Sequence, residues 1–185
     1  MGQVWRRLGS NFVLLDQIRE LMDCSTTVKR IVEVSGKWRG ATAKLIEDKA
    51  NGSAVIQMLT NQISGIIPVN PSGGKIGRAA AISPLMEAGN IYIAHPQMFP
   101  WVNGFLEECA AFPNGAHGDP VDAMTQALLR WHMAPQDQTF VYLCDPISTS
   151  PIGTLRTGAP PEHAQWMLPR AHLFGGCLPR RFTSG

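Results

Sequence analysis

At 185 residues and 20.2 kDa the chain has room for one ordinary domain, or one domain with a tail. Apolar residues make up 44% and charged residues 16%, which suits a buried core and excludes wholesale disorder. The formal net charge is +2 and the mean hydropathy −0.04; no apolar run is long enough to span a bilayer and no secretion signal opens the chain, so a soluble cytosolic protein is expected.

Residues 3–7 and 11–15 read as two short strands joined at Leu8-Gly9-Ser10, a hairpin. The period then changes. Asp16 is placed to cap a short helical turn, and Ser25 or Thr26 to cap a longer helix that runs to about Lys37 with Val28, Ile31 and Val32 on one face. Residues 43–47 read as a buried strand. Asn51-Gly52 is a turn, and residues 53–60 a helix with Val55, Ile56 and Leu59 inward. Residues 65–69 form a further strand, with Pro68 favouring an edge. After the loop at 70–74 comes a helix over 75–88 that Pro84 kinks or divides, then a strand at 90–93. Residues 100–112 read as an amphipathic helix beginning with proline. The clearest helix covers 120–132, where Val121, Met124, Leu128 and Trp131 form one stripe. Strands alternating with helices predict an α/β layer architecture. Residues 134–185 hold seven of the fourteen prolines and show no sustained period; they read as an irregular tail with one strand at 139–143.

Charge is unevenly placed along this plan. Residues 1–78 carry eleven of the sixteen Lys and Arg, whereas 79–129 carry none and hold Glu87, Glu107, Glu108, Asp119 and Asp122. A basic part beside an acidic part suits a surface for polyanions next to a site for cations, although chance patterning of a solvated surface gives the same count. The four cysteines, Cys24, Cys109, Cys144 and Cys177, are scattered and lack zinc-ligand spacing, so free thiols are expected.

Three acids stand where chemistry could be done. Glu47 closes a buried strand, and ligands of open α/β sheets bind at such carboxyl ends. Asp119 and Asp122 are three apart at the start of the strongest helix, so their carboxylates share a face. Together they would make a set of hard oxygen ligands of the kind Mg²⁺ and Mn²⁺ take, and two such ions can hydrolyse a phosphodiester. Helix capping accounts for Asp119-Pro120 and Asp122 equally well, and Glu47 could instead pair with Lys44 or Lys49. The segment PSGGKIGRA at 71–79 lacks Walker spacing because Ile76 follows Lys75, but Lys75 and Arg78 could reach DNA phosphates. His117 could orient a water or a ligand, or be a plain loop histidine.

The stretches LIEDKANGSAVIQML, GIIPVNPSGGKIGRAAAISPLMEAGNIYI and FPNGAHGDPVDAMTQALLRW, with QVWRR and FVLLDQIR before them, resemble the C-terminal nuclease domain of tailed-phage terminase large subunits across residues 2–131. The resemblance implies a ribonuclease-H-like fold, a mixed central sheet flanked by helices, in a domain spanning 1–132. It implies Mg²⁺- or Mn²⁺-dependent endonuclease cleavage of concatemeric viral DNA during packaging, by a two-metal mechanism. Glu47 matches the family's second acidic motif; Asp119 and Asp122 match the third. Lys49, Lys75 and Arg78 would contact the DNA backbone. Double-stranded DNA, other terminase components and the portal are the implied partners, with no membrane, in the cytoplasm of a bacterial host and encoded by a phage or prophage.

The sequence departs from the family in three places. Gly118 stands where the family carries an acid after the histidine. The strand before the hairpin, with its catalytic Asp, is missing, and Asp16 is no obvious substitute. No Walker motif marks an ATPase domain. A truncated nuclease half with impaired activity and an open sheet edge is therefore expected; the alternatives are a non-catalytic DNA-binding or assembly fragment and a prophage remnant.

Overall fold

A computed structural model describes residues 1–49, 52–115, 117–133, 139–143 and 167–169. The elements in chain order are β1 (Gly2–Leu8), β2 (Asn11–Ile18), α1 (Cys24–Lys37), β3 (Ala41–Glu47), α2 (Gly52–Thr60), β4 (Ile66–Val69), α3 (Lys75–Glu87), β5 (Ile91–Ala94), α4 (Trp101–Ala111), α5 (Asp119–Met133), β6 (Thr139–Leu143) and β7 (Met167–Pro169). The strands form one mixed sheet in the order β4-β3-β6-β1-β2-β5-β7. β1 runs antiparallel to both β2 and β6; β6 runs parallel to β3, β3 to β4, and β2 to β5.

Side chains alternate across a strand, so each central strand feeds two cores. Val4 and Ile46 pack with Val28, Ile31 and Val34 of α1 and Val55 and Leu59 of α2. Trp5, Leu14 and Leu45 turn the other way, toward Ile82, Phe105, Met124 and Leu128 of α3, α4 and α5. Burying apolar area on both faces at about 25 cal/mol per Å² is what holds such a layered arrangement together. The stripe expected on α5 is buried as a whole: Val121, Met124 and Leu128 are fully covered, and Trp131 meets Phe12 with ring centroids 5.4 Å apart.

Local chemistry corrects three expectations. The cap of α1 is Asp23, not Ser25 or Thr26: its Oδ1 accepts the Thr26 amide at 2.7 Å. That hydrogen bond also lowers the carboxyl pKa. Asp16 caps nothing. It lies within β2, 4% exposed, and accepts from Lys37 Nζ at 2.7 Å and Trp38 Nε1 at 2.9 Å, tying the exit of α1 to the sheet. Pro84 neither divides nor ends α3, which continues to Glu87.

The open edge expected beside the hairpin is closed. β6 lies between β1 and β3 and pairs with both, with Trp5 opposite Phe140 and Leu45 opposite Tyr142 in backbone register. β6 and β7 both come from the proline-rich stretch; residues 134–138, 144–166 and 170–185, with Cys144 and Cys177, lie outside the described residues.

Lys44 is a buried cation on β3. It is 8% exposed, its Nζ donates to the Ser64 carbonyl at 3.0 Å, and burial lowers its pKa. The folded chain therefore holds this proton less tightly than the unfolded chain does. Stability rises with pH between the lowered pKa and the ordinary lysine value, and below that window the charge is a standing cost. Lys44→Met should stabilise the protein by about 1 kcal/mol at neutral pH. Paired urea titrations at pH 7 and pH 10 should show the advantage shrinking at the higher pH.

Candidate acidic site between two helix starts

Gln3 sets the position of α5. It is 1% exposed, and its Nε2 donates to Gln17 Oε1 at 2.9 Å and to the Pro120 carbonyl at 3.1 Å, while its Oε1 accepts from Trp5 Nε1 at 2.9 Å. A chain of buried amides thus runs from β1 to the first turn of α5, where Asp119 and Asp122 sit. The Asp122 amide closes that turn on the Gly118 carbonyl at 2.9 Å.

Opposite stands the start of α3, with Lys75 and Arg78. Lys75 Nζ lies 3.2 Å from Asp119 Oδ1 and 4.0 Å from Asp122 Oδ2. Arg78 Nε lies 3.1 Å from Asp122 Oδ1, which also accepts from Nη2. Its remaining edge, Nη1, donates to the Gly73 carbonyl at 2.6 Å and to that of Ser72 at 3.3 Å. Arg78 is 9% exposed and Asp122 7%, so this is a buried ion pair, whereas Lys75 and Asp119 reach solvent. Two cations at a helix N-terminus oppose the helix dipole, and two carboxylates in the first turn of α5 exploit theirs. The acids offset what α3 would otherwise lose.

Glu47 stands apart from this quartet, at the end of β3. The Asp48 amide donates to the Val69 carbonyl at 2.9 Å, so β3 and β4 end together. α2 begins so close that a Cβ on Gly52 would lie 1.8 Å from the Glu47 carbonyl oxygen. Only glycine fits there, and the close approach fixes where β3 stops. Glu47 pairs with the exposed Lys49 at 3.4 Å, not with Lys44.

The structure thus joins Asp119, Asp122, Lys75 and Arg78, and separately joins Glu47 and Lys49. Among the described residues no three Asp, Glu, His or Cys side chains converge as a cation site would need. The donor set does not fit a two-ion centre in this arrangement, because Asp122 spends one oxygen on Arg78 and turns the other toward Lys75. Arg78 is committed to Asp122 and two carbonyls, which leaves Lys49 and Lys75 as the exposed cations beside the acids.

Glu108 had no role in the sequence beyond its sign. On α4 it pairs with Arg19, and burial raises its carboxyl pKa against the opposing pull of Arg19 and His117. The charge of Asp119 raises it further, so Glu108 belongs to the same electrostatic neighbourhood. Its partner Arg19 lies just past the end of β2, far away along the chain, and no local pattern marks that pairing. Cys24 is a free thiol, as expected.

Among known families, that of the terminase RNaseH-like domain matches residues 1–130. No curated protein and no solved structure matches the chain.

Proposed function

Since the chain belongs to the terminase RNaseH-like domain family, we propose that it is the nuclease-type domain of a phage DNA-packaging terminase, working on double-stranded DNA in the host cytoplasm alongside other terminase and portal components. Glu47, Asp119 and Asp122 are its acids. Lys49, Lys75 and Arg78 are its basic residues, with the two lysines meeting the phosphates directly. The observation that supports this best is the pairing of an exposed lysine with Glu47 and of another with Asp119.

Domains of this family are usually metal-dependent, and Mg²⁺ or Mn²⁺ would compete here for the Asp122 carboxylate that Arg78 holds. With Asp122 neutralised by Arg78, hydrolysis is impaired and DNA contact is the stronger activity. The second reading, a DNA-binding or assembly fragment without catalysis, draws on the same commitment of Asp122.

Supercoiled-plasmid nicking in Mn²⁺, with EDTA as the blank, tests the assignment. Glu47→Gln and Asp119→Asn are the right variants, because each removes a charge without changing side-chain size and neither carboxylate is fully buried. Slow nicking that disappears in EDTA and in both variants is expected. DNA binding should weaken with salt, and Lys49→Ala and Lys75→Ala should each reduce the log–log salt slope by about 1. Salt-dependent binding without nicking by the folded protein would favour the assembly reading, and loss of both activities would overturn the proposal.

A further inference from the structure

A recess bordered by Arg78 lies between α5 and the β3–β4 edge. It measures about 230 Å³ and has Leu45, Ile67, Val69 and Leu129 among its walls. Gln126, Leu129 and Arg130 line it from α5, at the three- and four-residue spacing that puts side chains on one helix face.

Two of the side chains here carry polar atoms without a hydrogen-bond partner among the described residues. Gln126 is 6% exposed, and among the described residues neither its amide oxygen nor its amide nitrogen finds a hydrogen bond; the same holds for Arg130 Nε. Leaving such buried groups unpaired carries the full cost of their desolvation, more for a charged one. A fold tolerates that cost where a ligand relieves it. Arg78 also borders the recess, but Asp122 already neutralises it, so Arg130 supplies the uncompensated charge.

We infer that this recess binds one unpaired adenine nucleotide. A carboxamide offers a donor and an acceptor side by side, and the N6/N7 edge of adenine is its complement. Apolar walls suit the faces of a base, and a guanidinium suits its phosphate. The volume falls below the roughly 300–1,000 Å³ of sites for drug-sized ligands, as a single base requires. The source is either a free nucleotide or a frayed single-stranded DNA end. No divalent ion and no cleavage enters into it, so it stands apart from the nuclease assignment.

Calorimetric titration of the whole chain in EDTA tests it, with dAMP, a short oligo-dA, an oligo-dT and deoxyribose 5-phosphate as probes. Saturable dAMP binding is expected, and Gln126→Leu should weaken it about tenfold or more. The same substitution removes two unpaired polar atoms, so the melting temperature should stay equal or rise, which separates lost recognition from lost folding. Arg130→Gln should weaken dAMP and deoxyribose 5-phosphate by the same factor. Oligo-dA binding tighter than dAMP identifies a strand end; equal or weaker binding identifies the free nucleotide. No saturable dAMP binding at millimolar concentration, undiminished binding by Gln126→Leu, or oligo-dT matching oligo-dA would overturn the inference.

Discussion

Arg78→Ala should destabilise the protein by about 3–5 kcal/mol, the range for breaking a buried ion pair from one side. The substitution leaves Asp122 with its charge, 7% exposed, facing the more distant Lys75. It also strips the Gly73 and Ser72 carbonyls of their donor, loosening the loop that leads into α3. For a chain of this length each kcal/mol lowers the midpoint by roughly 2–4 °C, so a fall of about 10 °C is expected in a thermal melt. Arg78→Met combined with Asp122→Leu removes both charges and fills the space with apolar atoms. That pair should recover most of the loss. A single-variant penalty below about 1 kcal/mol would mean that the two charges are solvated, contrary to their burial.

Trp5→Ala should cost a comparable 3–5 kcal/mol. Trp5 is completely buried on β1, and its removal leaves a cavity in the core that seats α5. It also takes the indole donor from Gln3 Oε1, the inner link of the amide chain that ends on the Pro120 carbonyl. Trp5→Phe separates the two contributions. It keeps much of the apolar volume and loses the donor, so it should cost about 1–3 kcal/mol. Urea titration of both variants should shift the midpoint with the slope unchanged, because the surface exposed on unfolding is nearly the same.

Much of the architecture follows from short-range pattern. Val121, Met124, Leu128 and Trp131 recur at helical spacing and are buried as that spacing implies. The stretch TFVYL at 139–143 is a strand, as its branched and aromatic residues suggest. Its place in the sheet is another matter. Pairing β6 with β1 and β3 depends on contacts across some hundred residues, and period carries no information about partners at that range. The same limit hid the Arg78–Asp122 pair, 44 residues apart. Asp119 and Asp122 were legible as acids at a helix start, but not as carboxylates already claimed by cations. The α1 cap was missed for a different reason: Asp23, Ser25 and Thr26 are all competent caps within four residues, and only the backbone turn decides among them.

The central position of β6 has a consequence for synthesis on the ribosome. β1 and β3 are made within the first 47 residues, but the strand that joins them begins at Thr139. At 5–20 residues per second, the nascent chain waits roughly 5–20 seconds with two unpaired sheet edges facing the cytosol. The hairpin and α1 can form early, but the sheet closes only once α5 has cleared the exit tunnel. Such a long-range closing step makes assembly slow and exposes the growing chain to strand-adding neighbours. Polysomes crowded with this message are therefore where the protein is most at risk of aggregating.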